Sequence, residues 1–168
     1  MNDPINNIVW LKAHDLKANH YNPNVVLNSE LRLLERSILQ TGWIQPILVN
    51  TNGVIIDGFH RWSLSKLSEE LQNRYKGKVP CAVLDIPDWK AMVLTVRINR
   101  AKGTHIAFKM SGLVRELVNT HKIPPEQVVI ELGATDEEVN LLLQENVFKQ
   151  KDIQNWKYSK AWKPVEVA

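Results

Sequence analysis

The six residues Asp57-Gly58-Phe59-His60-Arg61-Trp62 place an acid, a glycine, an imidazole and a guanidinium directly after the apolar run Val54-Ile55-Ile56. A strand that passes through a glycine into a helix makes an anion site. The first helical amides have no intrahelical acceptor, and the positive end of the helix dipole points the same way. Gly58 lets a ligand approach the main chain closely. His60 and Arg61 add side-chain donors, the guanidinium with a planar fork that matches phosphate oxygens. The chemistry suited to this spacing is the holding of phosphates. Asp57 has two readings: its carboxylate can cap the helix by accepting from the first amides, or it can bind Mg2+ or orient an acceptor hydroxyl. Upstream, His20 in Asn19-His20-Tyr21-Asn22-Pro23-Asn24 is a candidate base, against the ordinary reading of an idle loop histidine.

The elements that must position these groups follow from period and punctuation. Ile8 to Leu11 reads as a short strand, and the Asn/Pro-rich stretch from Asn19 to Asn24 as a loop. Ser29 caps a helix with Leu31, Leu34 and Ile38 on one face, and Thr41-Gly42 ends it. Ile44 to Asn50 and Val54 to Ile56 are strands joined by Thr51-Asn52-Gly53, a hairpin signal that makes them antiparallel neighbours. Phe59 to about Tyr75 turns helical, Val79 to Ile86 is a strand ending at Pro87, and Trp89 to Asn99 is a further helix. After Gly103 only helix signals remain: Ile106 onward, a short helix from Pro125 to Leu132, then Gly133-Ala134-Thr135 and a helix from Asp136 to about Asn146. The fold class expected is α+β, a mixed α/β unit followed by a helical module. The division expected is residues 1–103, then a helix-turn-helix-like module over 104–148, then a basic, aromatic tail over 149–168.

The bulk properties narrow the function classes. With 168 residues, 44% of them hydrophobic, the chain can bury a real core. No run approaches the roughly 18 apolar residues of a membrane span, and Met1-Asn2-Asp3-Pro4 lacks a signal-peptide layout, so no membrane partner and a cytoplasmic location are expected. Cys81 is the only cysteine, which excludes an internal disulfide and a multi-thiolate metal cluster, and its place in a strand makes it a small core residue. His14, His105 and His121 have no partner at metal-ligand spacing, and no metal site is expected in the protein itself. The formal charge is a modest +3, but unevenly spread. Between Lys122 and Lys149 every charged residue is acidic, whereas Lys149, Lys151, Lys157, Lys160 and Lys163 are interleaved with aromatic residues.

Gly42-Trp43-Ile44-Gln45-Pro46-Ile47-Leu48-Val49, a hairpin, and then Ile55-Ile56-Asp57-Gly58-Phe59-His60-Arg61-Trp62 resemble the ParB N-terminal domain in wording and order. Asn22-Pro23-Asn24 looks like that family's first box, and Asn99 with Lys102 three residues on resembles its later Asn-x-x-Arg, with Lys for Arg. The resemblance covers roughly residues 8 to 105. It implies a ParB/sulfiredoxin-type fold and a nucleotide, which is CTP in ParB proteins, ATP in sulfiredoxins and ADP in free-serine kinases, held with Mg2+. Phosphate contacts from Gly58, His60 and Arg61 are implied, with Asn99 and Lys102 as a second phosphate or metal-side contact and Gln45 lining the pocket.

Departures from the family separate the activities. ParB proteins have Gly-Glu-Arg-Arg where this chain has Gly58-Phe59-His60-Arg61, which argues against CTP hydrolysis of that kind. Sulfiredoxins carry their nucleophilic cysteine where Phe59 sits, which argues against sulfinic-acid reduction. The free-serine kinases read Asp-Gly-His-His-Arg, the nearest wording. Three functions are therefore in view. The first is a ParB-like nucleotide-binding protein in a DNA-linked process such as partition, transcription regulation or phage and mobile-element function. The second is a small-molecule phosphotransferase using Asp57 and His20. The third is an interaction module that keeps the fold but has lost its ligand, and a homodimer or a partner protein is a further expectation.

DNA would have to meet the helical end or the basic residues. Val129, Gly133 and Val139 have helix-turn-helix spacing, yet the second helix opens Asp136-Glu137-Glu138 and carries no Lys or Arg, so it would repel the phosphate backbone. Arg97 and Arg100, or Lys157 and Lys160 in the tail, are the better candidates for DNA contact.

Overall fold

The computed structural model describes residues 3–20, 28–101 and 107–144, with backbone alone at 28–30, 100 and 107–109. Eleven regular elements follow in order: β1 (Ile8–Lys12), α1 (Asn28–Thr41), β2 (Ile47–Asn50), β3 (Ile55–Asp57), α2 (Phe59–Leu67), α3 (Glu69–Tyr75), β4 (Lys78–Leu84), α4 (Asp88–Ala101), α5 (Ala107–Asn119), α6 (Pro125–Leu132) and α7 (Asp136–Leu143). The fold is α+β. None of the described helices is long and apolar enough to cross a membrane.

The four strands form one sheet in the order β1-β4-β2-β3. β4 runs parallel to β2 and antiparallel to β1, and the β2–β3 hairpin is antiparallel with an irregularity between Leu48 and Val49. Asn50 builds the hairpin turn. Its Oδ1 accepts from the amides of Asn52 at 3.0 Å and Val54 at 2.9 Å, a side-chain mimic of a backbone turn, and Gly53 takes φ +74°. One sheet face packs Val9, Leu11, Ile47, Val49, Ile55, Val79 and Cys81 against Trp62 and Phe59 of α2. Cys81 is fully buried there, and burial pushes its thiol up to about 11.

Two boundaries differ from the sequence expectation for local reasons. The helix expected from Phe59 to Tyr75 is two helices, because Ser68 leaves helical geometry and caps the second, its Oγ accepting from the Leu71 amide at 3.2 Å. β2 begins at Ile47 rather than Ile44, since Pro46 has no N–H for a ladder and the Gln45 and Pro46 carbonyls are taken by a side chain described below.

The helical end shares a core with the first unit. Met92, Val93 and Val96 of α4 pack with Met110, Leu113, Val114 and Leu117 of α5, Val128 and Leu132 of α6, and Val139 and Leu142 of α7. Gly133 ends α6 with φ +59°, and Thr135 caps α7 by accepting from the Glu138 amide at 3.1 Å. Asp136, Glu137 and Glu138 then sit in the first turn of α7, where the helix dipole favours acids.

Candidate nucleotide site

The site forms where β3 ends and α2 starts. Gly58 is the N-cap of α2 in the left-handed conformation, φ +95°. A Cβ there would lie 3.2 Å from Ile47 Cγ1, 3.3 Å from Ile47 Cα and 3.2 Å from Arg61 Nη2. The dihedral favours glycine, and the crowding adds to that preference. The Trp62 amide closes the first helical turn on the Gly58 carbonyl at 3.0 Å, and Gly58 offers no side chain to accept from the helical amides that follow it. α2 is pinned from inside by Trp62, whose Nε1 donates to the Ala13 carbonyl at 2.7 Å, and by the Phe59 ring 5.4 Å from the Trp62 ring. The apolar residue at position 59 is thus a packing group, turned toward the sheet core.

Arg61 braces this corner. Its Nη1 donates to the carbonyls of Gln45 at 2.8 Å and Pro46 at 3.1 Å, and its Nη2 meets Asp57 Oδ2 at 3.2 Å. The side chain is only 13% exposed. Burial lowers its pKa and the Asp57 carboxylate beside it raises it. Three of the five N–H donors of the guanidinium are committed to the protein. The structure thus gathers Gln45, Asp57, Gly58 and Arg61 at one place. His60 follows Gly58 in the first turn of α2, half-buried, its ring edge-on to Phe59 at 5.7 Å.

Two polar groups not singled out in the sequence steady β3 where it enters the site. Asn19 Nδ2 donates to the Ile55 carbonyl at 2.6 Å, and Thr95 Oγ1 donates to the Ile56 carbonyl at 3.0 Å from α4. Both side chains are buried. A polar residue at the buried spacing of α4 was the available signal for Thr95. For Asn19, the turn chemistry of its segment hid it. Asn99, 5% exposed, lies one turn beyond Thr95 on the same face of α4.

Other expected site residues lie elsewhere. His20 is largely exposed and its Nε2 stands 2.8 Å from Glu116 Oε2 on α5. Arg97 pairs with Glu131 of α6 at 2.7 Å and also donates to that residue's carbonyl. Lys102, Lys157, Lys160 and the side chain of Arg100 lie outside the described residues, as does the loop from Tyr21.

Comparison with known proteins gives three findings. The ParB N-terminal domain model matches residues 2–99. The uncharacterized protein YbdM of Escherichia coli (strain K12) is 37% identical over 164 residues, covering 95% of this chain and 78% of that protein. Among solved structures, a Pnob8-like ParB-N domain overlaps with a TM-score of 0.60 at 14% identity, covering 91% of this chain and 75% of that one. A looser overlap, TM-score 0.46 at 20% identity over 81% of this chain and 76% of that one, is with a C-terminally truncated ParB of Caulobacter crescentus complexed with CTP-gamma-S.

Proposed function

Because the chain belongs to the ParB N-terminal domain family, we propose that it binds a nucleotide, CTP, ATP or ADP together with Mg2+, at the start of α2 and acts in a DNA-linked process. The observation that carries this reading is Gly58. It caps α2 without a side chain, at φ +95°, where a Cβ would crowd Ile47 and Arg61 at 3.2 to 3.3 Å. That arrangement leaves the first amides and the positive helix end for an anion from outside. His60 supplies a donor in the same turn. Arg61 contributes positive charge and its two uncommitted donors while its other three hold the pocket wall at Gln45 and Pro46.

In this reading Gln45, exposed beside this wall, serves the base or ribose side, and Asn99, buried on α4, serves a second phosphate or metal-side contact together with Lys102. The DNA-linked role is the coarser half of the proposal. It is supported by family membership, and the partner surface is left to Arg100, Lys157 and Lys160, because Arg97 is engaged with Glu131. Isothermal titration of the intact protein with CTP, ATP and ADP in Mg2+ tests the reading. Binding of one of them, lost in a Gly58→Val variant, is the expected result. No heat with any of the three overturns it.

A further inference from the structure

The far corner of the sheet, where β1 pairs with the start of β4, carries a second concentration of functional side chains. Trp10 is 47% exposed, and its ring stacks on Tyr75 with centroids 5.7 Å apart and planes 19° from parallel. Arg74 sits over the same Tyr75 ring, 5.4 Å from its centroid. The register sets Lys12 directly opposite Lys78, two residues along from the Trp10–Pro80 pair, so both lysines share the Trp10 face. Lys76, in a left-handed turn at φ +53°, and Gly77, beside which a Cβ would meet nothing within 4 Å, complete the corner.

The charge arrangement is unusual for a merely solvated surface. Like charges directly opposite each other across two strands are destabilising. Here Lys12 and Lys78 are so placed, both exposed, and among the described residues neither they nor Arg74 and Lys76 form an ion pair. The exposed acids nearest in sequence, Asp15 and Glu70, form none with them either. The corner thus joins three lysines without an ion pair, and Arg74, one of whose Nη donors is held by the Leu39 carbonyl, to an indole already braced on one neighbour and half open to solvent. A flexible polyanion that presents flat rings satisfies both features, its phosphates on the cations and an unpaired base on Trp10. A duplex hides its base faces and satisfies only the first.

We propose that this corner binds single-stranded nucleic acid, with Trp10 as the stacking platform and Lys12, Arg74, Lys76 and Lys78 as the phosphate contacts. The surface is separate from the α2 site and the proposal does not depend on nucleotide binding there.

Fluorescence anisotropy of a labelled single-stranded oligonucleotide of about 15 residues, titrated with the intact protein at several salt concentrations, is the test. Trp10→Ala weakens binding at least about fivefold, the effect of one lost stacked base. The double variant Lys12→Glu/Lys78→Glu, which alters only exposed side chains, weakens it further and lowers the salt slope by about 1.4, two phosphate contacts at about 0.7 each. Its unchanged melting midpoint separates lost binding from lost fold. Absence of binding by the unaltered protein overturns the proposal. So does undiminished binding by the double variant, or equal affinity for a duplex of the same length. Because the assay contains no nucleoside triphosphate, its result is independent of the titrations at α2.

Discussion

Arg61 Nη2 stands 3.2 Å from Asp57 Oδ2, one helical turn apart across Gly58, while Nη1 of the same guanidinium holds the Gln45 and Pro46 carbonyls. The cation closest to the phosphate segment is therefore a brace as well as a charge. Arg61→Ala leaves the Gln45 and Pro46 carbonyls without this donor and removes the cation beside Asp57 in a mostly buried corner, and costs about 2 to 3 kcal/mol in urea unfolding. Arg61→Lys keeps the charge but not the fork. It recovers only part of the stability, and nucleotide titration shows weakened binding for both variants.

Gly58→Ala forces an L side chain into φ +95° with its Cβ 3.2 Å from Ile47 Cγ1. The combined strain and overpacking lower stability by about 2 to 3 kcal/mol. A lowered urea midpoint with an unchanged slope is the expected signature.

Cys81 gives a pH dependence with a defined sign. Its thiol is raised from 9.0 to about 11 by burial, with the hydrogen bond from the Leu11 backbone opposing. Between those values the unfolded chain has released the proton and the folded chain has kept it. The stability contribution is complete below pH 9 and lost as pH rises toward 11, by about 3 kcal/mol at most. Unfolding free energies at pH 8.5 and 10.5 for the unaltered protein and for Cys81→Ala isolate the effect, since the lysines titrate alike in both. The same burial makes Cys81 unreactive toward a thiol reagent until denaturant is added.

Arg97 and Glu131 tie α4 to α6 at 2.7 Å, with Arg97 about half exposed. A double-mutant cycle with Arg97→Ala and Glu131→Ala, read by thermal or urea unfolding, returns a coupling below about 1 kcal/mol that shrinks with added salt. A larger coupling at high salt would mean that the pair carries more of the α4–α6 contact than its exposure suggests.

Much of this molecule could be read from neighbouring residues alone. The Asn50-to-Val54 turn, the Gly42 and Gly133 helix ends, the strand-glycine-helix passage at Gly58 and the core place of Cys81 all rest on preferences that act over a few positions. The exceptions within that range are instructive. Ser68 interrupts what the apolar spacing presents as one helix, because a serine that caps competes with the helical period and spacing alone cannot say which prevails.

What only the tertiary structure decided is who meets whom. Arg61 finds its carbonyls 15 and 16 residues back, Asn19 reaches Ile55 across 36 residues, and Thr95 reaches Ile56 across 39. His20 and Arg97, both plausible site residues by type, are drawn to Glu116 and Glu131 by the packing of α5 and α6 on the first unit. Residue type and short spacing specify the glycine-capped start of α2 at Gly58. The bracing of the Gln45 and Pro46 carbonyls by Arg61, and the convergence of Trp10, Tyr75, Lys12 and Lys78 at one corner, arise from chain closure, which brings together groups that no local period relates.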